Sequence, residues 1–132
     1  MKLKGLSKKE RIKSKKEFQL VYSAGKTLYS PKNKFKAIYY TYENSDEIPV
    51  KVAFAVYKKT GIAVWRNRVK RLMREAFRLY KYILIDKVVT AGKNLLVIFS
   101  PNSINQKKNK KIGLKDVLPE IVGLMKSINN AI

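Results

Sequence analysis

Apolar residues recur along this chain with two spacings, one of about 3.6 residues and one of about 2, and the changes between them mark out the expected elements. Ser14-Lys15-Lys16-Glu17 has the spacing of a capping box and opens a short helix on which Phe18, Val21 and Tyr22 share a face; Gly25 supplies its stop. On periodicity alone, Phe18 and Tyr22 belong to the core. Three strand-like segments follow, 27–30, 35–42 and 50–57, and Ser30-Pro31-Lys32-Asn33 separates the first from the second. In FKAIYYTY, alternation sets Ile38, Tyr40 and Tyr42 on one face and Ala37, Tyr39 and Thr41 on the other. VKVAFAVY is apolar enough to predict a central strand.

The spacing then returns to helical. From Arg66 onward, Val69, Leu72, Met73, Ala76, Phe77, Tyr80 and Ile83 form one apolar stripe, which predicts a helix running to about Leu84. Ala91-Gly92-Lys93-Asn94 reads as a turn, NLLVIF as a fully buried strand, and 100–111 as a polar loop carrying Lys107, Lys108, Lys110 and Lys111. A closing helix spans 114–129 on Val117, Leu118, Ile121, Leu124, Met125 and Ile128, with Pro119 tolerable only if the helix begins near it. The predicted order is α-β-β-β-α-β-α, an α+β single domain over 14–132 with helices packed on one sheet. Residues 1–13 read as a basic flexible arm.

Charge changes this picture. The 132 residues hold 30 lysines and arginines against 9 acids, a formal charge of +21, and such self-repulsion calls for a polyanionic partner. Six arginines occur, and five of them (Arg66, Arg68, Arg71, Arg74 and Arg78) lie on the long helix. Opposite its apolar stripe stand Asn67, Lys70, Arg71, Arg74, Arg78 and Lys81, with Glu75 towards the edge. An ordinary solvated face mixes signs, with acids four residues before bases. A face of one sign, built on guanidinium forks that match phosphate bidentately, reads as a polyanion site. The acidic segment 43–49 should lie away from it.

Composition also removes classes. Without cysteine or histidine, disulfides, thiolate zinc sites and the commonest nucleophiles and bases are excluded. The acids are scattered, and only Asp46 and Glu47 adjoin, so no carboxylate cluster for metal-assisted phosphoryl chemistry is expected. No apolar run approaches a transmembrane span, and the lysine-rich start has no apolar centre, so a cytoplasmic protein without a membrane role is expected. What remains is binding: a phosphate-contacting helix with tyrosines and phenylalanines nearby to stack on unpaired bases. A ribosomal or other structural RNA-binding protein and a nonspecific DNA-binding protein both share this charge and size.

One stretch narrows the choice. Tyr57-Lys58-Lys59, Gly61, Ala63-Val64, Arg66-Asn67-Arg68, Lys70-Arg71 and Arg74-Glu75-Ala76-Phe77 together resemble the signature of the bacterial ribonuclease P protein component. Weaker similarity extends to Glu17-Phe18-Gln19, Tyr22, Gly25 and Tyr40-Thr41. The resemblance implies a protein that assists a catalytic RNA in removing the 5′ leader of precursor tRNA, one RNA with one protein, and no obligate protein partner. It implies an RNA-subunit face of Arg66, Asn67, Arg68, Lys70, Arg71 and Arg74, and a leader cleft of Phe18, Tyr22, Tyr40 and Lys58. It moves Phe18 and Tyr22 from core to cleft. It also implies a mixed sheet like the second domain of ribosomal protein S5, with a left-handed βαβ crossover. No catalytic residue and no cofactor held by the protein alone is implied; Mg²⁺ would come through the RNA. Ile62 and Tyr57 depart from the family pattern, where asparagine and serine are common.

Overall fold

The computed structural model describes residues 7–43 and 47–132. Residues 1–6 of the expected arm and 44–46 of the expected acidic turn lie outside the described residues. Four strands form one mixed sheet in the order β1-β2-β4-β3. β1 (Lys26–Tyr29) pairs antiparallel with β2 (Phe35–Glu43), β2 antiparallel with β4 (Lys93–Pro101), and β4 parallel with β3 (Val50–Phe54). A parallel neighbour cannot be reached by a tight turn. The connection from β3 to β4 is accordingly helical, α2 (Ala63–Tyr80) followed by α3 (Tyr82–Ala91).

Strand alternation sends side chains to two unlike faces. Phe35, Ala37, Tyr39, Val52, Leu95, Val97 and Phe99 meet Trp65, Val69, Met73 and Phe77 of α2, Leu84 and Val88 of α3, and Ile121, Leu124 and Ile128 of α4 (Leu114–Ala131). That is the main core. On the other face Leu96 and Ile98 meet Val21 of α1 (Lys15–Ala24) and Ile12, with Phe18, Ile38, Tyr40 and Tyr42 packed at the margin. The split of β2 into Ala37/Tyr39 and Ile38/Tyr40/Tyr42 follows the alternation of the sequence. Ser14 caps α1 by accepting the Glu17 N–H at 3.0 Å. Gly25 ends α1 where a Cβ would stand 2.4 Å from the Val21 carbonyl and 2.9 Å from that of Tyr39, so chain crosses chain too closely for any side chain.

Three expectations are corrected. β3 is an edge strand rather than a central one. Its apolar character has another cause: Val50 and Val52 are buried, and Arg11 bridges to Val52 while the Ile12 N–H donates to the Val52 carbonyl at 3.0 Å. Segment 7–13 therefore lies along β3, with Ile12 only 5% exposed, so packed chain begins before the boundary at residue 13. Second, the long helix stops at Tyr80 and a separate helix runs on to Ala91, giving two helices where one was expected. The break takes Lys81 off the solvent face. It is 5% exposed, and its ammonium lies 3.0 Å from the Glu10 carboxylate. Burial would raise the Glu10 carboxyl, but the Ser7 N–H and Lys81 more than offset this and hold it below its ordinary value. Third, α4 starts at Leu114, as the spacing predicts, but Pro119, expected only near a helix start, lies inside it. The first turn is instead fixed by the Asp116 carboxylate, which accepts the Gly113 N–H at 2.9 Å.

Glu120 of α4 is buried at 3% exposure and one carboxylate oxygen accepts from Ser30 Oγ at 2.7 Å, Lys32 N at 3.2 Å and Lys34 N at 3.4 Å. Ser30 Oγ in turn accepts the Phe35 N–H at 2.9 Å, so this one side chain holds the β1–β2 turn against the helix. Glu120→Ala strands these donors, and is expected to lower stability by about 3 kcal/mol. Urea unfolding should show a reduced midpoint at unchanged slope, with Glu120→Gln, which keeps an acceptor, losing less.

Candidate nucleic-acid interface

α2 is amphipathic because Trp65, Val69, Met73, Ala76 and Phe77 are buried along one side. Opposite them Asn67, Arg68 and Arg71 are exposed, while Arg66, Lys70 and Arg74 are half-buried at the margins. All six residues named from the sequence thus leave the helix away from its buried stripe. They are not equivalent. Arg66 Nε donates to the Gly61 carbonyl at 3.0 Å, which aims its guanidinium back towards the helix start. Arg74 Nε is buried and meets no acceptor among the described residues. Arg78 differs: Glu75 holds its guanidinium through two hydrogen bonds, which neutralises the charge. Hydrogen bonding to Glu75 keeps Arg78 above its ordinary value against an opposing effect of burial, with a lesser contribution from the attraction of the carboxylate.

The N-terminus of α2 is built from two distant pieces. Residues 58–60 form a 3₁₀ turn, and Ile62, 61% exposed, stands at the cap position with no side-chain acceptor to offer. Gln106 supplies one from the β4–α4 loop. Its Oε1 accepts the Ile62 N–H at 2.9 Å while its backbone N–H donates to the Thr60 carbonyl at 2.8 Å. Trp65, 4% exposed, donates its indole N–H to the Asn109 carbonyl at 3.0 Å. These bonds seat the loop against the helix, so exposed Lys107, Lys108, Lys110 and Lys111 adjoin the basic face. Lys110 and Arg68 line one hollow with Ile62, Val64, Trp65 and Gln106. Gly61 permits this seat, since a Cβ there would fall 2.8 Å from the Trp65 ring and 2.9 Å from Gln106.

The aromatic residues named from the sequence fall in two grooves, one on each side of α1. Phe18 and Tyr22 line an open groove of about 670 Å³ with Lys13, Lys15, Gln19 and Ser23. Tyr40 lies in a second, of about 340 Å³, with Lys16, Glu17, Leu20, Tyr42 and Leu96, its ring 6.2 Å from that of Tyr42. Phe18 and Tyr22 are therefore brought together, and Tyr40 is separated from them by the helix. Lys58 is exposed and follows Tyr57, whose hydroxyl neighbours that of Tyr22, but Lys58 is not among the residues that line the first groove. Burial, then the neighbouring Tyr57 hydroxyl, push Tyr22 up to about 12, leaving it a neutral donor at neutral pH. Tyr22 and Tyr57 are nonetheless 47% and 43% exposed, so both rings present a surface to a ligand.

Sequence reasoning placed Tyr57 in the motif at the helix entry without counting it among the site residues, and did not select Gln106 or the lysines of the loop as parts of this surface. The Tyr22–Tyr57 and Ile62–Gln106 contacts span 35 and 44 residues and leave no local pattern. The loop's lysine density was the one available signal. Among the described residues no three acids converge on a point that could hold a metal ion, and no helix is long and apolar enough to cross a membrane.

The family model Ribonuclease P matches residues 6–116. The ribonuclease P protein component of Clostridium botulinum strain Loch Maree is 36% identical over 119 residues, 90% of this chain and 94% of that one. That of Staphylococcus epidermidis is 38% identical over 82 residues, 62% of this chain and 68% of that one. The fold is similar to that of the RNase P protein from Thermotoga maritima, with a TM-score of 0.68 at 23% identity over 89% of this chain and 96% of that one. The Staphylococcus aureus RNase P protein gives 0.65 at 25% identity, covering 90% and 94%. With a family match over most of its length and relatives of this identity and coverage, the chain belongs to the ribonuclease P protein family.

Proposed function

We propose that the chain is the protein subunit of ribonuclease P, one copy binding one catalytic RNA, and that it helps that RNA remove the 5′ leader of precursor tRNA in the cytoplasm. The observation that carries this reading is the basic face of α2 standing beside an aromatic groove of a different character. Arg66, Asn67, Arg68, Lys70, Arg71 and Arg74 are the RNA-subunit contacts, where guanidinium forks meet backbone phosphates. Phe18, Tyr22 and Lys58 take the single-stranded leader, the rings by stacking and the ammonium by donating to phosphate. Tyr40, across α1, takes the leader only if the strand crosses that helix. Mg²⁺ is assigned to the RNA subunit, and no step is assigned to the protein's own acids. The protein's part is to screen phosphate repulsion and to hold substrate.

The test is binding of precursor tRNA, with and without its leader, to the RNA subunit alone and to the assembled particle. Addition of the protein should tighten binding of the leader-bearing substrate selectively; equal tightening of both would sink the leader assignment. Phe18→Ala in the assembled particle is expected to lose about 1–3 kcal/mol of that selectivity, the value of one stacked base, with binding of leaderless tRNA unchanged.

A further inference from the structure

Ile62 and Val64, at the start of α2, are 61% and 75% exposed, the two highest values among the large apolar side chains described. Single exposed aliphatics are ordinary on a surface, but these two line one hollow of about 160 Å³ with Trp65, Arg68, Gln106 and Lys110. A second hollow of about 530 Å³ adjoins it, sharing Gln106 and Lys110 and adding Thr60, Gly61 and Lys107. Among the described residues no acid lines either hollow. The β4–α4 loop that forms one wall is also braced within itself. The Asn109 N–H donates to the Asn105 carbonyl at 2.8 Å, the Asn105 N–H to Asn109 Oδ1 at 3.2 Å, and the Lys108 N–H to Asn105 Oδ1 at 2.9 Å. A wall already ordered loses little freedom on binding. Gln106 has taken the Ile62 N–H, so an anion here is met by side chains and not by the helix end.

We infer that this hollow takes one unpaired nucleotide of the RNA subunit, its base against Ile62 and Val64 and its phosphate between Arg68 and Lys110. The β4–α4 loop thereby becomes a second RNA-binding element beside α2. The inference rests on the function proposed above and adds a loop and a subsite to it. An aliphatic wall flanked by cations matches the two unlike parts of a nucleotide, a flat base and an anionic backbone. A paired base keeps its faces stacked inside the duplex and offers that wall nothing. The first hollow is small against the roughly 300–1,000 Å³ of a typical ligand pocket, which suits one base rather than a strand.

Affinity of the full chain for a bacterial ribonuclease P RNA, measured against salt, tests this. Both side chains are exposed, so Lys110→Gln and Val64→Ser should melt as the parent does. Lys110→Gln should weaken binding about fivefold to tenfold and make the log–log salt slope shallower by about 0.7, as for one single-strand phosphate. Val64→Ser should weaken it about fivefold at unchanged slope, since no charge is removed. Unchanged affinity in Lys110→Gln overturns the site. Unchanged affinity in Val64→Ser does so as well, because Lys110 is then a plain backbone contact. A loss that only accompanies a lowered melting midpoint marks a structural role and overturns it too. The chain has no cysteine, so Lys111→Cys gives one attachment point for a photoreactive group. Crosslinks should fall on one or a few unpaired nucleotides of the RNA subunit; crosslinks confined to paired segments or to the precursor tRNA overturn the assignment. Failure of the parent chain to bind this RNA is a different result, since it overturns the proposed function itself.

Discussion

Phe77→Ala is expected to lower stability by about 3–5 kcal/mol and the melting midpoint by about 10–20 °C. Phe77 is 1% exposed and joins α2 to the sheet through two rings, with centroids 5.8 Å from Phe99 and 6.2 Å from Phe54, which themselves stack at 6.0 Å. Truncation removes the contacts of Phe77 with both other rings at once and leaves a cavity beneath the centre of α2. Since small domains have about 5–15 kcal/mol in total, most of the margin is at risk. RNA affinity should fall with the folded fraction and recover at low temperature, where the variant refolds. Differential scanning calorimetry alongside RNA binding at two temperatures checks both parts. A variant that melts normally would mean that the aromatic cluster does not anchor the helix.

The second large effect concerns charge and should leave stability alone. Arg68 and Arg71 are exposed on α2, and among the described residues neither meets an acid. Replacing both with alanine should weaken RNA-subunit binding about a hundredfold, taking about 1.5 kcal/mol for each charge-assisted contact. With about five phosphates neutralised by the intact helix, the salt slope is on the order of −4, and the double variant should reduce its magnitude by about 1.5. Arg78→Ala is the internal control. Glu75 already holds that guanidinium, so its removal should change the slope far less. Titration across salt concentrations separates the outcomes, and equal slope changes for Arg78→Ala and for either exposed arginine would refute the division of the face.

Much of this architecture was legible because it is local. The alternation of FKAIYYTY and the stripe of Val69, Met73, Ala76 and Phe77 each report a single face meeting a single core, which is what periodicity measures. The misreadings come from contacts between distant segments. β3 looks central because its edge is covered by residues 11 and 12, some 40 positions away, and no local pattern records that cover. Lys81 looks solvated because its partner, Glu10, lies 71 residues earlier. The candidate site divides in the same way. The arginines of α2 stand out by residue type, and the resemblance to a family drew Phe18 and Tyr22 out of the core. Tyr57 meeting Tyr22 and Gln106 supporting Ile62 needed the fold, as did the separation of Tyr40 from the other aromatic residues by α1.

The most direct test of the central claim is cleavage of a leader-bearing precursor tRNA by a bacterial ribonuclease P RNA at Mg²⁺ too low for the RNA to act alone. Addition of this protein is predicted to restore accurate cleavage at the mature 5′ end, with the rescue weakened in the Arg68→Ala/Arg71→Ala variant. Absence of rescue by the folded parent protein, at concentrations that saturate RNA binding, would contradict the account.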